Sequence, residues 1–133
     1  VREDSSIGET DDLAGKRVAV EWGSEGDMVG RQLQRDGLDV TLVPFETPEE
    51  AVAALRTGEA VDALLVDGVT LRAAQAAGAP LREAGPPLTS NPYVIVVPRR
   101  ADELLEWVNE GLGTLRGSGA LEALETRWFG AAP

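Results

Sequence analysis

Short β-branched runs alternate along this chain with segments of helical period, and that alternation constrains the fold more than any single residue does. Val18-Ala-Val-Glu-Trp22 has the length and branching of a buried strand, and Gly23-Ser-Glu-Gly26 breaks it. Met28, Val29 and Leu33 then recur at helical spacing up to Asp36-Gly37. Asp39 to Phe45 reads as a second strand. Thr47-Pro-Glu-Glu50 puts a hydroxyl at the N-cap, Pro at the first helical position and a carboxylate three residues after the cap. Together these satisfy the free N–H groups of a helix start, and they predict a helix through Val52 and Leu55 to Gly58. Asp62 to Asp67 reads as a third strand and Val69 to Ala77 as a third helix, ended by Gly78. Strands joined through helices need crossover connections, so the three strands are expected parallel, in the order second, first, third, with helices on both faces of the sheet.

Residues Val1 to Asp12 are polar and acidic with no period, a lead-in to the first apolar run at Leu13. After the loop from Gly85 to Pro92, Tyr93-Val-Ile-Val-Val97 is the most hydrophobic strand-like run, expected to cross beside the other three, and Pro98 ends it. From Asp102, Leu104, Val108, Leu112 and Leu115 mark one helix face; beyond Gly117-Ser-Gly119 a second helix carries Leu121, Leu124 and Trp128.

Composition removes much chemistry. The 133 residues, 43% hydrophobic, suffice for one core, and a net charge of −11 repels phosphate backbones, so no nucleic acid is expected as a partner. The chain has neither Cys nor His, which excludes disulfides, thiolate or imidazole zinc sites, Cys nucleophiles and triads with an imidazole base. No run approaches the roughly 18 apolar residues of a membrane span. A chain that opens on Val1 reads as a mature or truncated product.

Ligands of open parallel sheets bind outside the carboxyl ends of the strands. Gly23-Ser24-Glu25 follows the first strand and opens a helix, whose unpaired N–H groups suit a carboxylate; alternatively Ser24 merely caps that helix. Asp67, after the third strand, either accepts hydrogen bonds from a ligand ammonium or caps the third helix. Trp22 either walls a pocket or, the commoner outcome, fills the core. Asp62, at the other end of the third strand, is expected to be structural.

Several segments in order resemble the amino-acid-type solute-binding proteins of bacterial ABC importers. They are Asp12-Leu-Ala-Gly-Lys-Arg-Val-Ala-Val20 with Gly23-Ser24, Ala51 to Leu55 with Gly58, and Val61-Asp-Ala-Leu-Leu-Val-Asp67. Pro87-Leu-Thr, Tyr93-Val-Ile-Val-Val-Pro98, Asp102 to Asn109 and Leu115-Arg-Gly-Ser-Gly119 leading to Arg127-Trp-Phe-Gly130 follow. The resemblance implies an α/β fold: one lobe of a two-lobed, periplasmic-binding-protein-like clamshell, a mostly parallel sheet with helices on both faces, plus C-terminal helices. It implies that residues 1–12 are a hinge segment, 13–90 the second lobe and 91–98 the returning hinge strand, while 99–133 are helices that belong to the first lobe. That first lobe would precede Val1, so the chain is expected to be a fragment or a one-lobed relative.

By the same resemblance, Gly23 and Ser24 meet the carboxylate of an amino acid or similar small polar solute, and Asp67 meets its α-ammonium. Members commonly carry a small neutral residue where this chain has Glu25, which repels a carboxylate unless it turns away or binds a cationic ligand. The candidate ligand-binding residues are thus Trp22, Gly23, Ser24, Glu25 and Asp67, with no catalytic residue, metal or cofactor. The implied partner is an ABC transporter permease, and the implied location is periplasmic or extracellular.

A receiver-like signalling domain phosphorylated on Asp67 is the rival reading. It would need an acidic pair after the first strand to hold Mg²⁺ and a Lys after a later one, whereas Glu21 stands alone and Lys16 precedes the first strand. A lobe that only scaffolds other proteins is a third. Leu104, Val108, Leu112, Leu115, Leu121, Leu124 and Trp128 have no first lobe to pack on, so the C-terminal helices are expected either to form a homodimer with a second copy or to fold back on the sheet. With half a cleft, amino-acid binding is expected to be weak or absent.

Overall fold

The computed structural model describes residues 1–91 and 93–129, and the chain divides into two compact units between Leu88 and Thr89. Pro92 and Gly130, named in the motifs above, lie outside the described residues.

The first unit follows the alternation of the sequence. Strand β1 (Arg17–Glu21) lies between β2 (Thr41–Phe45) and β3 (Ala63–Leu65), all parallel, in the expected order β2-β1-β3. The register sets Val20 beside Pro44 on one side and beside Leu65 on the other, so the three strands end together. Pro44 lacks an N–H to donate, and its place on an edge strand is where that loss is tolerated. Helix α1 (Glu25–Arg35) connects β1 to β2, α2 (Pro48–Thr57) connects β2 to β3, and α3 (Gly68–Ala76) follows β3.

Successive residues of β1 serve opposite faces, as a pleated strand requires. Val18 packs with Ile7, Leu13, Val40 and Ala63, with Leu33 of α1 beside them. Ala19 packs with Ala51 and Leu55 of α2 and with Val61, Ala79 and Leu81. The α2 start has the expected chemistry: Thr47 Oγ1 accepts from Glu50 N–H at 3.3 Å, Pro48 opens the helix and Gly58 (φ 70°) closes it in the left-handed region.

The lead-in is more structured than its lack of period suggests. Arg2 bridges antiparallel to Leu81, Ile7 is buried, and the Arg82 guanidinium donates to the carbonyls of Ser5 and Ile7 at 2.8 and 2.9 Å. Thr10–Leu13 forms a 3₁₀ turn whose start is held by Asp12, which accepts from Gly8 and Glu9 N–H at 2.8 and 3.2 Å.

In the second unit α4 (Asp102–Gly117) and α5 (Ala120–Phe129) form where the apolar period predicts them, and the two helices contact each other. Val108, Leu112 and Leu121 are half-buried, whereas Trp107 and Trp128 are exposed. The strand expected over Tyr93–Val97 is not formed, which corrects that expectation. A strand exists only through hydrogen bonds to a neighbour, and Tyr93 to Val96 are exposed with no such pairing among the described residues.

Candidate functional site

Parallel pairing of β1 with β3 brings the segments that leave them to one edge of the sheet, about 4.8 Å apart at the strands. Trp22 is the first residue past β1. Its N–H extends the ladder by donating to Phe45 O at 2.9 Å, and its side chain is 72% exposed. The core reading of Trp22 is therefore wrong: β1 has already ended, and the indole stands at the carboxyl edge.

Gly23 follows at φ +75°, a conformation that side-chained residues rarely adopt, and reverses the chain into α1. Ser24 N–H donates back to Glu21 O at 3.1 Å, and Ser24 Oγ caps α1 by accepting from Asp27 N–H at 3.2 Å. Asp27 reciprocates: one carboxylate oxygen accepts from Gly23 N–H at 3.2 Å and the other from Arg31 Nε at 2.9 Å. Glu25, the first helical residue, is exposed.

Gly26 lets this turn approach β3, because a Cβ there would overlap the Leu65 carbonyl oxygen and lie 3.0 Å from its carbon.

Asp67 is the N-cap of α3. Its Oδ1 accepts from Val69 and Thr70 N–H, both at 2.9 Å, and its Oδ2 from the Thr70 hydroxyl at 2.9 Å. Burial raises its pKa, but the bonds from Thr70 and Val69 outweigh that, and the carboxyl is held below the usual aspartate range. It is ionised at neutral pH, and Oδ2, with its single hydroxyl donor, keeps lone-pair capacity on the exposed side. Both cap readings are thus realised, and neither cap is used up by its helix.

Asp62 sits at the opposite, amino edge. It accepts from Arg17 N–H at 2.9 Å and pairs with the Arg17 guanidinium at 3.3 Å, which lowers its pKa, so its role is structural as expected.

No protein-family model matches the chain. A candidate amino-acid ABC transporter-binding protein of Vibrio harveyi, PatH, is 34% identical over 129 residues, covering 95% of this chain and 50% of that protein. The crystal structure of domain 2 from TmArgBP is 35% identical with TM-score 0.57, covering 68% of this chain and 95% of that one. The second substrate binding domain of a candidate amino acid ABC transporter from Streptococcus pneumoniae has TM-score 0.80 and 26% identity, covering 97% of this chain and 58% of that one.

This chain belongs to the amino-acid-type solute-binding proteins.

It spans about half the length of the curated solute-binding relatives it matches. Those relatives carry the names of binding proteins, and none of those reported is named as an enzyme. Within the solute-binding fold, Trp22, Ser24, Glu25 and Asp67 lie on the segments that leave β1 and β3 at the carboxyl edge of the sheet, with Glu25 already inside α1. Gly23 differs in one respect: its N–H faces Asp27, so its contribution here is the shape of the turn. Asp27 and Arg31 went unnoticed in the sequence. The signal was Ser24 followed three residues later by a carboxylate, the spacing of a capping pair, although here the acid accepts from Gly23 N–H, one residue before the cap.

Proposed function

We propose that this chain is the second lobe of the solute-binding component of a bacterial amino-acid ABC importer, a binder without catalysis. The observation that carries the reading is the parallel register of β1 with β3, which sets a hydroxyl-capped helix start and an ionised carboxylate at one edge of the sheet. A zwitterion has the complementary pair of charges. Its carboxylate is received by the Ser24 hydroxyl and the amino end of α1, where the helix dipole favours a negative charge. Its ammonium is received by Asp67, and charge makes that bond stronger than a neutral one.

The exposed Trp22 indole forms a wall, and Glu25 beside it selects for a cationic side chain over an acidic one. Residues 13–90 make up the lobe, 91–98 pass through the hinge, and 99–133 complete the other lobe in the whole protein. The partner of the loaded receptor is the permease, and the site of action is periplasmic or extracellular.

Titration of ¹⁵N-labelled chain with L-arginine, L-glutamine and L-glutamate tests this. The expected result is millimolar-range shifts confined to residues 22–26 and 67–70, strongest for arginine. Absence of shifts with all three, or shifts elsewhere, overturns it.

A further inference from the structure

Asp27 is the one charged side chain that the fold buries among the described residues, at 5% exposure. Closing a helix start does not require burial, since capping carboxylates work at the surface, and a buried carboxylate is costly unless it is paired. Here it is paired. One oxygen holds Gly23 N–H at 3.2 Å, the other holds Arg31 Nε at 2.9 Å, and Asp27 N–H is taken by Ser24 Oγ at 3.2 Å.

The partners of Ser24 follow from this. Its N–H is spent on Glu21 O at 3.1 Å and its oxygen accepts from Asp27, so the hydroxyl proton is what the turn has left to donate. An unpaired Asp27 would defeat that donor, because a second negative charge one helical turn beneath an incoming carboxylate opposes the helix dipole. Arg31 reaches the buried oxygen from solvent, its own side chain half exposed at 51%.

We propose that Asp27 and Arg31 are a positioning pair for ligand carboxylates: Asp27 fixes the Gly23–Ser24 turn so that the Ser24 hydroxyl donates outward, and Arg31 cancels the charge that Asp27 brings. The proposal rests on the reading that the amino end of α1 receives the carboxylate of an amino acid.

The test compares L-arginine with agmatine, the same molecule without its carboxylate, by NMR titration of the wild-type chain, Arg31→Gln and Arg31→Lys. Arg31→Gln should weaken L-arginine binding roughly fivefold and leave agmatine unchanged, because only arginine brings a second anion to the turn. The loss should shrink with added salt, which screens repulsion but does not mend packing. Arg31→Lys should bind L-arginine within about twofold of wild type, since it restores the charge. A change common to both ligands, or unchanged arginine binding in Arg31→Gln, overturns the proposal while leaving the binding reading intact. Wild-type chain that shifts with neither ligand refutes the binding reading, and the positioning role falls with it. If Arg31→Gln does not fold, the pair is refuted by Arg31→Lys losing arginine while keeping agmatine, and supported by its keeping both.

Discussion

Gly26→Ala perturbs a close approach of α1 to the backbone of β3. The added methyl would overlap the Leu65 carbonyl oxygen and stand 3.0 Å from the carbonyl carbon and 3.4 Å from Leu65 Cβ. Two of those three atoms are backbone, in the last residue of a strand paired to β1, so no side-chain rotation relieves the contact. The first turn of α1 must lift away from the sheet. Overpacking of this kind costs about 1–3 kcal/mol, and Ala returns roughly 0.5–1 kcal/mol in helix propensity. Because the overlap is with backbone, the cost lies at the upper end of that range, so the net loss is about 2–2.5 kcal/mol, and in a unit of this size each kcal/mol lowers the melting temperature by roughly 4–8 °C. Gly68→Ala is the control: Gly68 also opens a helix, but a Cβ there meets nothing within 4 Å. Thermal and urea unfolding followed by circular dichroism should show Gly26→Ala clearly destabilised and Gly68→Ala at or above wild type. A Gly26→Ala variant as stable as wild type would refute the close approach of α1 to β3, and with it the geometry that brings Ser24 towards Asp67.

Trp22→Ala should change stability by no more than about 0.5 kcal/mol, because the indole is exposed; a core Trp would cost about 3–5 kcal/mol in the same unfolding assay. Asp67→Ala should cost about 1 kcal/mol through loss of the α3 cap, with Asp67→Asn retaining most of it, read from urea midpoints. The pH dependence of that cap has a definite sign. The folded Asp67 pKa is depressed, so its stabilisation is complete above the unfolded aspartate pKa of about 3.9 and is lost as pH falls through the lower folded value. Asp67→Asn should therefore flatten the acid limb of the stability curve, and an unchanged limb would contradict the assignment. Gly111→Ala and Gly113→Ala, where a Cβ meets nothing within 4 Å inside α4, should each raise the helicity or melting temperature of the chain by about 0.5–1 kcal/mol equivalent.

The parts legible in the sequence are those that local chemistry decides. The period of Val52 and Leu55, the Thr47-Pro48 start and the left-handed Gly58 stop are properties of one helix, and α2 forms where they place it. The order β2-β1-β3 is equally local, because right-handed crossovers leave little choice once the strands are parallel. What the sequence hid depends on distant partners. Ile7 is buried in the cluster of Val18, Val40 and Ala63, with its carbonyl held by Arg82, 75 residues away, and no pattern around Ile7 announces that. Tyr93–Val97 has the strongest strand composition in the chain and yet forms no strand, because composition supplies propensity while hydrogen bonds must come from a neighbour. Trp22 shows the converse: hydrophobicity predicted burial, but its position one residue beyond β1 decided exposure.

Asp27 and Asp67 are the same residue type, each bonded to backbone at a helix start, but one is the third residue of α1 and the other the N-cap of α3, and the fold leaves them in different surroundings. Asp27 lies on the face of α1 turned inward; its charge is matched by Arg31 and its oxygens are spent on Gly23 and Arg31, so it can act only on the turn that surrounds it. Asp67 lies on the exposed side of α3, has no cationic partner among the ion pairs described, and accepts only neutral donors. On the proposed reading, an ionised and anchored carboxylate with no counter-ion among the described residues receives a ligand ammonium with little reorganisation. The proposed binding would be linked to stability at this edge. An ammonium on Asp67 should lower the folded pKa further, so the acid limb of the stability curve should move to lower pH when L-arginine is present, in the wild-type chain but not in Asp67→Asn. Equal shifts in both proteins would place the ligand somewhere other than Asp67.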